Sequence, residues 1–354
     1  MSDQVFVVGT GRCGSTLVSD MLRLHPEVTS LSEVFSFATD LGCRLDAVFP
    51  DGPMSAAEVW SNLGTAWPRQ SLMLRHDVAM DEVLYPWKGG GRFNADTGVP
   101  AIAQTALPHL SDDPDALYDA LRAYVLGLDA APAGEQYGRV FAWLAARQGG
   151  RVWAERSGGS LRIVRRLRRA FPAARFVHIV RDGRNTALSM SKHHGFRMVF
   201  AAVQLLEGLG VDPFTSDDRR WEEDLTDELA ALLPERFTRE AFLALSTPPP
   251  LCGHYWSGEI REGLAELSDL GPERLLTLRY EDFLAAPTES ATALIAFLRH
   301  GAVDTDWVTR AARKVGTGRS QWQALSARDR DQLEIACAPG FAALAALGLH
   351  WPEA

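Results

Sequence analysis

The stretch VFVVGTGRCGSTLVSDMLRLHP, residues 5–26, decides how the rest of the chain is read. VFVVG is a short, β-branched, apolar run ending on glycine, the pattern of a buried strand. STLVSDMLRLH follows, with Leu17, Met21, Leu22 and Leu24 at helical spacing and a hydroxyl residue at its start. Strand, glycine loop and helix in this order make half of a βαβ unit. A glycine turn lets backbone N–H groups approach an anion, and the helix N-terminus adds partial positive charge. The loop is therefore suited to phosphate. Which phosphate it holds, and why Arg12 stands among its glycines, is the question the remaining residues must answer.

Working outward, RFVHIVRDG (175–183) repeats the pattern: an apolar run, charge, glycine, then the helix-like RNTALSMSKHH. RVWAERSGG (151–159) and LLTLRYEDF (275–283) are two further strands ending in charged residues. Strands that alternate with helices predict an α/β fold, a parallel sheet flanked by helices. Residues 40–150, with the glycine loop WKGGGRF (87–93), and residues 196–250, ending in TPPP, lack a strand pattern of their own. They read as mainly helical insertions covering a site within one domain of residues 1–354. LRIVRRLRRAF (161–171) has Leu161, Val164, Leu167 and Phe171 on one face. It reads as an amphipathic helix on the sheet with a solvated basic face, not as a nucleic-acid stripe.

Of the 354 residues, 46% are apolar and 23% charged, the balance of an ordinary globular protein. A net charge of −9 gives no global field toward nucleic acid or an anionic membrane, so an anionic ligand must be caught by local cations. Cys13, Cys43, Cys252 and Cys337 are far apart, without metal-ligand spacing, which argues against a disulfide framework and for a reducing compartment. The N-terminus enters a strand without a leader pattern, and no apolar run approaches membrane-spanning length. The expectation is a cytoplasmic protein with no membrane insertion and no nucleic-acid partner.

Three phosphate loops compete. Gly9-x-Gly11-x-x-Gly14 matches a dinucleotide fingerprint, and Glu33 stands near the distance at which such sites carry a ribose-binding acid. Against this, EVTSLSEVF (27–35) is a poor buried strand, and an arginine inside that turn is unusual. Gly9-x-x-x-x-Gly14 followed by Ser15 and Thr16 is close to a nucleotide triphosphatase loop, but Ser15 replaces its lysine. FVHIV (176–180) reaches Arg181 before Asp182, so an aspartate for magnesium is doubtful as well.

The form G-x-x-R-x-G-[ST]-T, carried here by Gly9, Arg12, Gly14, Ser15 and Thr16, resembles the phosphosulfate loop of sulfotransferases that use 3′-phosphoadenosine 5′-phosphosulfate (PAPS). RDGRNTALS (181–189) resembles that family's 3′-phosphate site, with Arg181 at a strand end and Ser189 two turns into the next helix. The arrangement is most similar to the branch of tyrosylprotein and bacterial carbohydrate or natural-product sulfotransferases. The resemblance implies a P-loop-like sheet and direct in-line sulfuryl transfer to a hydroxyl of a small-molecule acceptor.

It also implies roles. Gly11, Arg12, Cys13, Gly14, Ser15 and Thr16 form the loop on the 5′-phosphate, with Arg12 on the transferring group and Cys13 a small residue that fits. Glu33 is the general base, with a histidine, His76 or His109, as the rival. Arg156 clamps a sulfuryl oxygen, or else forms an ion pair with Glu155 or Asp182. Arg181 and Ser189 take the 3′-phosphate, with Arg184, Lys192 and His193 adding charge or facing solvent, and Tyr280 touches the nucleotide. RKVGTGRSQW (313–322) resembles the loop that closes over it, through Arg319, Lys314 and Trp322. No metal is called for, and no metal-ligand cluster is apparent. Trp60, Trp67, Trp87, Phe93 and Trp143 are expected to form an apolar wall for the acceptor. A P-loop small-molecule kinase and a non-catalytic nucleotide-binding protein are the alternatives.

Overall fold

A computed structural model describes residues 3–39, 44–316 and 321–352. Five strands, β1 (Asp3–Val8), β2 (Val28–Ser32), β3 (Val152–Arg156), β4 (Arg175–Val180) and β5 (Leu275–Arg279), form one sheet in the order β2-β3-β1-β4-β5. All four pairings are parallel. The four strands read from the sequence are present. The fifth, β2, lies in the stretch expected to make a poor strand, and every residue of VTSLS is buried.

Alternation along the strands divides the core into two layers. Phe6, Val8, Trp153, Phe176 and Val180 face one side, where the helix Ala133–Arg147, the helix Val164–Ala170 and the helix Pro249–Leu267 cover them. Val5, Val7, Ala154, Val177 and Ile179 face the other, under the helices Ser15–Leu22, Pro287–Leu298 and Thr305–Ala312. Both faces are thus covered, which is why the inner strands read as near-continuous apolar runs. The helix near residues 161–171 lies as expected: Leu161, Val164, Leu167 and Phe171 are buried, and Arg166, Arg168 and Arg169 pair with Asp46, Asp269 and Asp51.

Residues 45–147 contribute helices and no strand of the sheet, as do residues 194–244. The two stretches share a third apolar cluster, in which Leu72, Met73 and Val78 pack with Met198, Leu205, Phe237 and Phe242. Among the described residues no helix is long and apolar enough to cross a membrane.

The chain leaves the five strands at Gly9, Glu33, Ser157, Arg181 and Tyr280. All five positions lie along the carboxyl edge of the sheet, where open α/β folds bind ligands.

Candidate active site

The loop after β1 is built from left-handed residues. Gly11, Arg12 and Gly14 have φ of 74°, 53° and 94°. Glycine adopts such angles freely, whereas arginine is held there by its surroundings. Gly14 ends the loop as the N-cap of the helix Ser15–Leu22 and supplies no side-chain cap. The N-terminal amides of that helix are therefore free of any capping side chain. A Cβ on Gly14 would lie 2.2 Å from the Tyr280 ring, so only glycine allows this tyrosine to close on the loop. Cys13 is fully buried beneath Gly9, and burial pushes its thiol up, away from a reactive thiolate.

A cavity of about 280 Å³ opens at this edge. Gly11, Arg12, Gly14, Ser15 and Thr16 line it from the loop, Glu33 and Arg156 from the ends of β2 and β3. Arg181, Ser189 and Tyr280 close it from β4, its following helix and β5. A neighbouring concavity of about 360 Å³ shares Arg12, Arg181, Ser189 and His193 and adds Lys192 and Gln321.

The guanidinium groups are tied in different ways. Arg181 donates through Nη1 to the Arg12 carbonyl at 3.2 Å and stacks on the Tyr280 ring, 4.9 Å from its centroid. It thereby fixes the loop, β4 and β5 to one another, and its other N–H groups have no partner among the described residues. Arg156 is buried; its Nε donates to Ser19 Oγ at 3.0 Å, and its Nη1 pairs with Glu33 Oε1. The partner of Arg156 is therefore Glu33, and neither Glu155 nor Asp182, as the sequence had offered. Glu33 Oε2 accepts from the Gly158 N–H at 2.9 Å, and Glu33 itself has a left-handed φ of 58°.

Two further residues complete the wall, and the sequence gave no reason to single out the first. Glu82, from the first insertion, accepts from Arg12 Nη1 at 2.9 Å, and its other oxygen faces His193 Nε2 at 3.1 Å. Burial alone would push the Glu82 carboxyl up, but the His193 hydrogen bond and the charges of His193 and Arg12 outweigh it and hold it at about 2. His193 was read only as a possible extra charge near the 3′-phosphate; it lies in the wall of both concavities. No periodicity or motif marks MDEVL (80–84), and its place is decided by tertiary packing alone.

Other expected positions lie away from the cavity or outside the described residues. His76 packs edge-on against Phe237 at 5.0 Å and does not reach the cavity. His109 faces Arg23 at 3.4 Å, and burial together with the charges of Arg23 and Arg156 lowers its pKa to about 4; it does not line the cavity either. Arg184 is buried against Asp182, 2.7 Å away, and stacks on Trp322, so both serve the interior. Lys314 is exposed and lines neither concavity, and Arg319 lies outside the described residues.

The tryptophan wall is absent as well. Trp60 packs on Tyr118 at 4.9 Å, Trp67 on Phe37 at 5.7 Å and Trp143 on Tyr124 at 5.1 Å; Trp87 and Phe93 lie against the same core. Large rings are most stable where they bury most area, inside the insertion. The apolar part of the cavity is made instead by Leu17, Met80, Val83 and Phe196. Among the described residues no group of histidine, cysteine, aspartate and glutamate gathers as a metal would require.

A family model described as "Sulfotransferase family" matches residues 4–249. A search of curated proteins finds no relative. Solved structures similar to this chain include a sulfotransferase domain from the curacin biosynthetic pathway, with 14% identity, 99% of each chain covered and a TM-score of 0.47. A sulfotransferase from Alicyclobacillus acidocaldarius is 18% identical over 98% of this chain and 96% of its own, with a TM-score of 0.43. One from Mycobacterium avium is 16% identical over 99% of this chain and 78% of its own, also at 0.43.

Proposed function

This chain belongs to the sulfotransferase family, and from that premise we propose that it moves a sulfuryl group from PAPS to a hydroxyl of a small-molecule acceptor. The observation that carries the reading is the convergence of Arg12, Arg156 and Arg181, from three different strand ends, on one cavity beside a strand–glycine-loop–helix amide cradle. The donor set suits a ligand with two separated anionic groups. The amides at Gly14, Ser15 and Thr16 would hold the 5′-phosphate. Arg181 and Ser189 would hold the 3′-phosphate, with Lys192 and Gln321 lining the concavity beyond them. Tyr280, pressed on the loop, would pack on the nucleotide.

In the transfer, the acceptor oxygen forms a bond to sulfur as the bond from sulfur to the 5′-phosphate oxygen breaks, and that electron pair leaves with the phosphate. Arg12 faces the breaking bond and stabilises the charge that develops there. Glu33 receives the acceptor proton. Arg156 holds Glu33 in place, and its fixed charge lies beside the transferring group. Leu17, Met80, Val83 and Phe196 offer the acceptor an apolar body site, which favours an alcohol or phenol with an apolar frame over a highly charged sugar polymer. We read the chain as a single domain, since one apolar cluster joins residues of β1 with the insertion and with Leu344 of the last helix. Its buried free cysteines, Cys13, Cys252 and Cys337, accord with the cytoplasm.

The test is calorimetric titration with adenosine 3′,5′-bisphosphate without magnesium, beside ATP with magnesium and NAD. The bisphosphate should bind alone, and Arg181→Ala should cost about 1.5–3 kcal/mol, roughly tenfold or more in affinity. Binding of ATP or NAD together with indifference to the bisphosphate overturns the reading.

A further inference from the structure

Arg12 is already paired in the molecule as it stands. Its Nη1 donates to Glu82 Oε1 at 2.9 Å and its Nε to Ser189 Oγ at 3.2 Å. Glu82 belongs to the first insertion and not to the sheet, and its backbone is anchored by Thr105 Oγ1, which donates to the Glu82 carbonyl at 2.6 Å. Its second oxygen is held by His193 Nε2 at 3.1 Å. All of these side chains border the same cavity. A carboxylate therefore lies against the one loop guanidinium that an anionic ligand of the loop must reach. Two oxyanions on one guanidinium face repel strongly in a partly buried site, so the newcomer and Glu82 compete.

Resting on the sulfuryl-transfer reading, we propose that Glu82 is the resident counter-anion of Arg12 and a specificity-determining residue for the donor. A ligand seats fully in the loop only when it brings enough charge at its 5′ end to take Arg12 from Glu82. The exchange keeps Arg12 paired throughout: the guanidinium passes from one oxyanion to another, and the displaced carboxylate stays on His193. Selection follows. A nucleotide with phosphate on the 3′ side alone meets Arg181 and leaves the Arg12–Glu82 pair closed, whereas one with a 5′-phosphate must open it. Such a device discriminates by the position of charge and not by its total.

The experiment compares adenosine 3′,5′-bisphosphate with adenosine 3′-monophosphate by calorimetry on the wild type, Glu82→Gln, Glu82→Ala and Arg181→Ala. Removing the competing carboxylate should tighten the bisphosphate by about tenfold and leave the 3′-monophosphate unchanged. Arg181→Ala should weaken both. A supporting side chain, once removed, weakens a site, so a gain in affinity confined to the 5′-phosphorylated ligand is a signature that a scaffolding role does not give. Glu82→Ala guards against a glutamine that re-forms the contact as a neutral hydrogen bond. If both Glu82 variants bind the bisphosphate no better than the wild type while Arg181→Ala weakens it, the donor site stands and the proposal falls. If the wild type binds no bisphosphate, the sulfuryl-transfer reading falls and takes the proposal with it.

Discussion

Glu33 and Arg156 close a buried ion pair across the ends of two neighbouring parallel strands. The backbone sets it up: Ser32 stands beside Arg156 in the β2–β3 register, and the Glu33 N–H donates to the Arg156 carbonyl at 2.7 Å. The side chains then meet over a strand end that is already fixed, with Ser19 holding the far side of the guanidinium at 3.0 Å.

Arg156→Ala leaves the Glu33 carboxylate buried without its counter-charge and should destabilise the fold by about 3–5 kcal/mol. Replacing both members, Arg156→Met with Glu33→Met, should restore most of that loss while sulfation stays abolished. Urea unfolding and an activity assay on the three proteins check this. A double variant as unstable as the single one would show that the loss has another origin.

Arg12→Lys keeps the charge but not the fork that reaches Ser189 and Glu82 together. Turnover should fall by about 10²–10³-fold, the usual result of losing a fixed donor at developing charge, with a much smaller change in folding stability. Steady-state kinetics beside thermal melting distinguishes the two. Near-normal turnover in the lysine variant would remove Arg12 from the chemistry.

Gly14→Ala forces a Cβ to 2.2 Å from the Tyr280 ring at a φ of 94°. The variant should lose thermal stability and bisphosphate affinity together. Tyr280→Ala in the same chain makes room and should recover part of the stability, though not the binding. Without any such recovery, the backbone angle alone accounts for the defect.

Glu155 lies one residue before Arg156, fully buried, and its Oε1 accepts from Ser157 Oγ at 2.6 Å. Burial, assisted by the nearby Glu33 charge and opposed by the Ser157 hydrogen bond, pushes its carboxyl up to about 8 from the ordinary 4.5. Between those values the folded protein keeps a proton that the unfolded chain has released, so stability falls as pH rises through the window. Glu155→Gln should flatten that slope, by on the order of 1 kcal/mol per pH unit. Denaturant midpoints of both proteins at pH 5, 6.5 and 8 test it, and parallel curves would refute it.

The sequence made the sheet legible where strands are apolar on both faces, as in VFVVG and FVHIV. It hid β2 because three of the five residues of VTSLS, Thr29, Ser30 and Ser32, carry hydroxyls that are nonetheless buried. That strand also changes the standing of one argument: the dinucleotide reading was set aside partly for want of a strand before Glu33, and a strand is there. Arg12 in the turn and the Arg181–Ser189 pair still separate the two readings. Loop and strand-end residues could be read because a local turn dictates their direction. Glu82 could not, because only the packing of a distant helical segment brings it to Arg12. The tryptophans misled for a related reason: composition marks a residue as apolar but does not say which cavity its ring will fill.

The shared apolar cluster of Leu72, Met73, Val78, Met198 and Phe242 bears on how this molecule could be re-engineered. One insertion carries Glu82, and His193 is the N-cap of the helix His194–Leu209 that leads into the other, so the two halves of the Glu82–His193 contact are welded through a common interior. A graft of either segment alone from another enzyme would bring half of a seam. Chimaeras of this protein should therefore exchange both segments as one cassette.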